Sequence, residues 1–128
     1  MSIKYKVVKL CQPGVIGGGK YKYYPRIYDR RKIKFDEISH RISNISTLSS
    51  IDIAACLEAF TNLIPELLQE NRIVVLGDLG TFSLHIRSTA SVTEKEVNRT
   101  NINDVKIAFR ASNRTKGMFK LAKFSREV

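Results

Sequence analysis

The stretch of sequence that decides the fold lies at residues 72–82 and reads Arg72-Ile73-Val74-Val75-Leu76-Gly77-Asp78-Leu79-Gly80-Thr81-Phe82. Its β-branched residues before the first glycine favour a short strand over residues 72–76. Two glycines separated by Asp and Leu mark a tight turn. After the turn, apolar residues alternate at Phe82, Leu84 and Ile86, which predicts a strand over residues 81–87 with one apolar face.

Two helices are predicted on the N-terminal side of this stretch. Apolar residues recur at spacings of three and four from Phe35 to Ile45, which gives a single stripe along a helix of about three turns. Ser49 is followed three residues later by Asp52, a near match to the capping box that opens many helices. The second helix is therefore expected to begin next to Ser49.

This second helix is apolar on more than one side, which in so small a chain predicts a partner, most simply a second copy. We expect Pro65 to kink or break the helix near Asn62, because proline has no N–H to donate. Asn71 is the predicted stop. The dimer interface is assigned to five apolar residues of the helix and the following turn: Leu57, Phe60, Ile64, Leu79 and Phe82.

The region beyond residue 87 is predicted to leave the core and return. Residues 88–104 are polar and charged with almost no apolar residues, which is typical of a protruding arm or a mobile loop. Val105, Ile107 and Phe109 restore the alternation of a strand. Residues 113–124 then read as a final helix with its basic residues facing outward.

The first part of the chain predicts a β-hairpin. Lysines alternate with apolar or aromatic residues at residues 3–10 and 20–24, and Pro13-Gly14 and Gly17-Gly18-Gly19 mark a flexible turn between them. Pro25 either ends the second strand or confines it to a sheet edge.

Residues 14–20 also match the spacing G-x-x-x-x-G-K of a nucleotide-binding loop. Such a loop needs Ser or Thr where Tyr21 stands, and a helix where a strand is predicted. A hairpin turn explains the glycines better, and nucleotide hydrolysis is the weakest hypothesis.

Charge is distributed unevenly along the chain. Twenty-two Lys and Arg against 12 Asp and Glu give a net charge of +10 in 128 residues. Residues 1–34 carry +9, residues 35–71 carry −5 and residues 72–128 carry +6. A basic excess confined to particular segments predicts a polyanionic partner, nucleic acid before an anionic membrane surface. Charge alone does not distinguish DNA from RNA.

Several function classes lack support in the sequence. Cys11 and Cys56 are too few for a disulfide framework, and no Cys/His spacing suits zinc. His40 and His85 stand apart from any nucleophile or metal partner. We therefore expect no catalysis, cofactor, metal or small-molecule substrate. We also expect neither a signal peptide nor a membrane span, and hence a cytoplasmic protein.

The turn Gly77-Asp78-Leu79-Gly80-Thr81-Phe82 and the later Ala108-Phe109-Arg110 resemble motifs of the bacterial HU/IHF family. The resemblance covers residues 35–124, while residues 1–34 are similar to the N-terminal extension of a longer HU-like subfamily. It implies one α+β domain over residues 1–128: an intertwined homodimer with two helices, a three-stranded antiparallel sheet, a protruding β-arm at residues 88–104 and a C-terminal helix. A basic hairpin precedes this core.

The resemblance further implies a sequence-tolerant architectural protein of the nucleoid that grips duplex DNA through phosphates and the minor groove. Arg87 matches a basic position at the start of the arm, and Arg110 matches the basic residue after the returning strand's Phe. The full set of expected DNA-binding residues is Arg87, Lys95, Arg99, Lys106, Arg110, Arg114, Lys116, Lys4, Lys6, Lys20, Lys22, Arg30 and Arg31.

The sequence departs from the family at the arm. Residues 92–100 contain no proline where HU arms carry a proline wedge, and Glu94 and Glu96 would meet phosphates unfavourably. These departures keep open an alternative, an HU-like structural or protein-interaction module that has lost strong DNA bending. The N-terminal tyrosines, expected mainly to pack, offer stacking surfaces if the ligand is a single strand: Tyr21, Tyr23, Tyr24 and Tyr28.

Overall fold

A computed structural model describes residues 2–127 of the chain. The chain divides into two compact units, Lys34–Gly117 and Met1–Ile33 with Met118–Val128, and each is described by itself. The predicted organisation as one domain stays a prediction. In chain order, the helices and strands are β1 (Ser2–Leu10), β2 (Lys22–Ile27), α1 (Phe35–Ile45), α2 (Ser50–Gln69), β3 (Val74–Val75), β4 (Gly80–Ser88), β5 (Ile102–Ala111), α3 (Asn113–Lys120) and β6 (Lys123–Arg126).

The two predicted N-terminal helices of the larger unit are present. Ser49 caps α2, since its Oγ accepts a hydrogen bond from the backbone N of Asp52 at 3.2 Å. α2 continues across Pro65 to Gln69, so the predicted alternative of a break near Asn62 is wrong, while the alternative of a kink stays a prediction. Proline removes only one backbone hydrogen bond, and the other turns of this 20-residue helix hold it together. Among residues 2–127, no helix combines the length and apolar character needed to cross a membrane.

The end of α2 confirms Asn71 as the stop. Asn71 has a φ of 61°, the left-handed conformation that closes many helices. Its N–H donates to the carbonyl of Leu68, and the N–H of Arg72 donates to the carbonyl of Leu67, each at 3.2 Å. These two bonds satisfy carbonyls that the helix would otherwise leave open, and they turn the chain towards the sheet.

The sheet of this unit has the order β3-β4-β5, and both pairings are antiparallel. The predicted strand over residues 72–76 is too long, since Arg72 is used to close α2 and only Val74–Val75 pair as β3. The tight turn is present: Leu76 N donates to Gly80 O at 2.8 Å. The predicted α+β architecture is thereby confirmed for this unit.

Gly80 is required by close packing at the start of β4. A Cβ at this position would lie 2.5 Å from the carbonyl oxygen of Arg110 and 2.6 Å from Cζ of Phe109. Backbone cannot move aside as a flexible side chain does. Gly77 serves the same turn differently, because its φ of 53° lies in the left-handed region that favours glycine.

The region predicted as a protruding arm or a mobile loop forms the end of the β4–β5 hairpin. β4 and β5 stay paired out to Ser88 opposite Ile102. Residues 89–101 fold into two 3₁₀ turns, at Glu94–Glu96 and Arg99–Asn101. Hydrogen bonds of Asn98 and Asn101 order these turns locally, and the protruding arm stays a prediction.

In the smaller unit, β1 lies between β2 and β6, antiparallel to β2 and parallel to β6. The N-terminal strands pair as predicted but do not stand alone, because a third strand joins them. β2 runs to Ile27, past the predicted end at residue 24, and it forms an edge of the sheet. Pro25 is compatible with that edge, where a missing N–H interrupts no second ladder.

The predicted helix over residues 113–124 is wrong in its last turn. α3 ends at Lys120, and Phe124 pairs with Ile3 in the parallel ladder between β6 and β1. Pairing with β1 satisfies backbone groups that a frayed helix end would leave open. Lys123 and Arg126 continue the basic composition of α3, which concealed the strand in the sequence.

We predict opposite effects for alanine at two glycines. Gly80→Ala should lower the free energy of unfolding by about 2 kcal/mol or more, because backbone lies in the way. Gly117→Ala should raise it by about 0.5–1 kcal/mol, since Gly117 lies inside α3 with nothing within 4 Å of the added methyl group. Urea unfolding at equal protein concentration measures both. A Gly80→Ala protein as stable as wild type would contradict the packing described here.

Candidate nucleic-acid interface

The β4–β5 hairpin has two chemically different faces. Residues directly opposite each other in an antiparallel pair point to the same face, and successive pairs alternate. The register places one set on what we call the apolar face: Phe82 with Phe109, Leu84 with Ile107, and Ile86 with Val105. It places another set on the polar face: Thr81 with Arg110, Ser83 with Ala108, His85 with Lys106, and Arg87 with Asp104.

Three of the expected DNA-binding residues lie together on this polar face. Arg87, Lys106 and Arg110 are all exposed, and they follow the hairpin over about 20 Å, the length of six strand residues. Asp104 stands opposite Arg87 in the register, without forming an ion pair between residues that the structure describes. His85 Nε2 lies 3.2 Å from Ser83 Oγ. The face can therefore present a row of cations to a polyanion.

Lys95 and Arg99 lie apart from this row, in the 3₁₀ turns at the hairpin tip. Asn98 and Asn101 form a capping box there: Asn98 Oδ1 accepts from Thr100 N at 2.9 Å, and Asn101 Oδ1 accepts from Asn98 N at 3.0 Å. The tip is thus locally ordered. Residues 88–104 carry two basic and three acidic side chains, a net charge of −1, so the tip does not concentrate positive charge.

Arg114 is engaged by the protein itself. Its Nη1 lies 2.6 Å from Oδ2 of Asp78 in the turn before β4. This ion pair links the first turn of α3 to the turn before β4. Lys116, two residues further along α3, is exposed and has no such partner among residues 2–127.

The start of α3 is fixed to the same turn. Ser112 Oγ accepts from Thr115 N at 3.2 Å, which makes Ser112 the N-cap of α3. Thr115 Oγ1 donates to the carbonyl of Asp78 at 2.7 Å, and Ser112 N donates to the carbonyl of Leu79 at 3.2 Å. The basic helix is therefore held at one end of the polar face.

The apolar face of the hairpin lacks a cover in the single chain. Ile86 and Ile107 are each 59% exposed, and Phe109 is 48% exposed although its ring lies 4.9 Å from that of Phe82. Of the predicted interface residues, Phe60 and Leu79 are exposed, and the remaining three are half-buried: Leu57, Ile64 and Phe82. Most of this face was not assigned to the dimer interface from the sequence. Alternation of apolar and polar residues shows that a strand has an apolar face, but not whether that face packs in the core or against a partner.

The solvent-accessible area of the chain, 11532 Å², also indicates that apolar surface is left uncovered. Two independent globules of the sizes of the two units would together expose about 8,200 Å². Within residues 2–127, the only hydrophobic side chains classed as buried are Ile53 and Leu68. The single chain therefore leaves uncovered much apolar surface that folded proteins normally remove from water.

The smaller unit gathers a second group of expected residues. Lys4, Lys6 and Lys22 share one face of its sheet, according to the register of β1 with β2. Arg26 lies on the same face directly opposite Lys6 and was missed as a site residue. It would have been found had β2 been extended past Pro25 with its alternation intact. Lys123, assigned to a helix from the sequence, also lies on this face.

The other expected residues of this unit lie outside its strands. Lys20 precedes β2 in the glycine turn, and Arg30 and Arg31 lie between β2 and α1. Arg31 Nη2 is 3.3 Å from Oδ2 of Asp29. After Lys20 the chain enters a strand, so the glycine turn has no helix N-terminus to receive phosphates as a P-loop does. The nucleotide hypothesis gains nothing from this geometry.

Comparisons with known proteins agree with this architecture. The family model described as "HU domain fused to wHTH, Ig, or Glycine-rich motif" matches residues 1–126. A solved structure described as "Putative bacterial DNA binding protein from Bacteroides vulgatus ATCC 8482" is similar, with a TM-score of 0.67 and 11% sequence identity. The match covers 98% of this chain and 48% of that one, so this chain spans about half its length. A comparison with curated proteins gives no significant match.

Proposed function

Because the chain belongs to the family of HU domains fused to winged-helix, Ig or glycine-rich motifs, we propose that it binds duplex DNA as a sequence-tolerant architectural homodimer. The HU-like resemblance read from residues 77–82 is confirmed by this membership. The observation that carries the proposal is the row of Arg87, Lys106 and Arg110 on one face of the hairpin. The name of the similar Bacteroides structure gives further support. In this proposal the protein acts at the nucleoid and catalyses no reaction.

The homodimer is proposed from the uncovered apolar surface. The excess over two separate globules is about 3,300 Å² per chain, or about 6,600 Å² for two chains, which exceeds the 2,000–5,000 Å² that obligate dimers commonly bury in total. A two-fold dimer covers the same patch on both copies. The apolar face of the hairpin and the exposed residues of α2, such as Phe60, offer such a patch. This leaves the polar faces of both copies free for DNA.

We predict that wild-type protein sediments as a dimer, at twice its 14.6 kDa chain mass. Ile107→Asp should abolish the dimer and much of the folded signal in circular dichroism, because a carboxylate cannot be buried unpaired in an apolar interface. His85→Asp is the control, since His85 lies on the opposite face of the same hairpin and should leave the dimer intact. A folded, monomeric wild-type chain would contradict the proposal.

Binding through phosphates predicts a defined salt dependence. Three cations per protomer give six phosphate contacts per dimer, and hence a slope of log K against log salt of about −5. Phosphate contacts give affinity without reading base sequence, which agrees with sequence tolerance.

We predict that Arg87→Ala and Arg110→Ala each weaken duplex binding and make this slope shallower by about 2, since each removes two contacts per dimer. Fluorescence anisotropy at several salt concentrations measures the slope. Arg41→Ala is the matched control, because Arg41 pairs with Glu37 at 2.9 Å in the acidic segment and should leave the slope unchanged. Slopes that are equal in all three variants would refute the assignment of Arg87 and Arg110.

The acidic tip supports a second candidate function, an HU-like structural or protein-interaction module without strong DNA bending. Residues 88–104 have a net charge of −1 and contain no proline, so a proline wedge and a cationic clamp are both missing there. The two candidates differ in whether the tip lies against phosphates.

The double variant Glu94→Gln/Glu96→Gln separates these candidates. If the tip lies along the DNA, removing four acids per dimer should raise duplex affinity severalfold and increase bending in an energy-transfer assay, since repulsion from phosphates is lost. Unchanged affinity and bending would place the tip away from the DNA and favour the second candidate. Stability should not change, because both side chains are exposed.

A further inference from the structure

One face of the three-stranded sheet in the smaller unit combines cations with aromatic rings; we call it the cationic–aromatic face. The register places even-numbered residues of β1 and β2 on it. Along β2 these are Lys22, Tyr24 and Arg26, and the ladder continues to Tyr28, whose N–H donates to Lys4 O at 3.0 Å. The neighbouring strands add the basic residues Lys4, Lys6 and Lys123.

The rings on this face alternate with a guanidinium group. Tyr24, Arg26 and Tyr28 follow one another at every second residue, which spaces their side chains about 7 Å apart along the strand. Tyr24 is 36% exposed and Tyr28 is 45% exposed, so packing within the chain, which the sequence favoured, does not use up these rings. Bases stack on tyrosine rings and on the flat guanidinium of arginine.

The charges on this face are poorly balanced within the chain. Lys6 lies directly opposite Arg26, and like charges at opposed positions of two strands destabilise the pair. Lys4 Nζ lies 3.4 Å from Oε1 of Glu127, which neutralises one lysine. Lys6, Lys22 and Arg26 have no carboxylate within ion-pair distance among residues 2–127. A bound polyanion would relieve this repulsion.

Lys6 also acts on one of the rings. Its Nζ lies 5.6 Å from the centroid of the Tyr28 ring, within the range of a cation–π contact. The contact fixes the ring next to the cation that would hold a phosphate. The other face of the sheet carries fewer cations: Ile3 and Val7 on it are apolar, and its basic residues are Lys9 and Arg126.

We propose that the cationic–aromatic face is a binding site for single-stranded nucleic acid, distinct from the duplex site of the hairpin. Tyr24, Arg26 and Tyr28 stack successive bases, while Lys4, Lys6 and Lys22 contact the phosphates. A single strand is favoured over a duplex because its bases are free to stack on side chains. In a duplex they are already stacked on one another.

The test measures binding of a fluorescein-labelled oligothymidylate of about 12 nucleotides to the full chain by anisotropy, beside a duplex of equal length. Tyr24→Leu and Tyr28→Leu should each weaken single-strand binding about fivefold or more, while the salt slope is unchanged. Tyr24→Phe should keep the wild-type affinity, because the ring remains. Tyr23→Leu is the matched control, since Tyr23 is 68% exposed on the opposite face of the same strand.

A second measurement does not depend on the folding of a variant. Photo-crosslinking of the wild-type chain to a bromodeoxyuridine oligonucleotide, followed by peptide mapping, should mark Tyr24 or Tyr28. Crosslinks confined to residues 34–117 would overturn the proposal. The proposal would also be overturned if the chain bound no oligothymidylate. The same holds if Tyr23→Leu lost as much single-strand affinity as Tyr24→Leu and Tyr28→Leu. The proposal also requires the lysines of this face to contact the single strand. A Lys6→Gln variant that loses duplex affinity but keeps its single-strand affinity would therefore overturn it. If the wild-type chain binds the oligothymidylate but not the duplex, the proposed function is refuted and the proposal of a single-strand site is retained.

Discussion

The antiparallel register between β4 and β5 is the constraint on which the account depends. Because side chains alternate along a strand, one register decides at once that Phe82, Leu84 and Ile86 share a face and that Arg87 lies on the other. A slip of one residue would exchange the two faces along the strand. Gly80 fixes this register at one end, since only glycine fits beneath Phe109 and the carbonyl of Arg110. The apolar face of the proposed dimer and the cations proposed to contact phosphates thus depend on a single pairing.

The smaller unit uses the same alternation with a different result. Its sheet also places most of its cations on one face, and here tyrosines stand between them. An aromatic ring beside a cation suits an unpaired base, whereas a row of cations without rings suits a phosphate backbone. The proposed sites of the two units therefore suit two different forms of nucleic acid.

The sequence predicted local structure where short-range physics decides it. The helical spacing from Phe35 to Ile45, the cap at Ser49 and the stop at Asn71 depend on neighbours within a few residues, and all three are present. The predictions of secondary structure were wrong where residues far apart in the sequence decide the structure. Phe124 joins a strand because β1 is available to pair with it, which no local pattern contains.

The candidate sites show the same division. Arg87, Lys106 and Arg110 were expected individually, but their common face depends on the register between two strands. Arg26 was missed because Pro25 suggested the end of a strand that continues along an edge.

The central claim is that two copies cover each other's apolar surface and together hold one duplex. Native mass spectrometry of the full chain mixed with a short duplex tests it most directly, because mass gives the stoichiometry of each complex. We expect one species of two chains without DNA and a second species of two chains with one duplex, and the second species should disappear as salt is raised. Single chains that bind duplex one to one, or dimers that bind none, would contradict it.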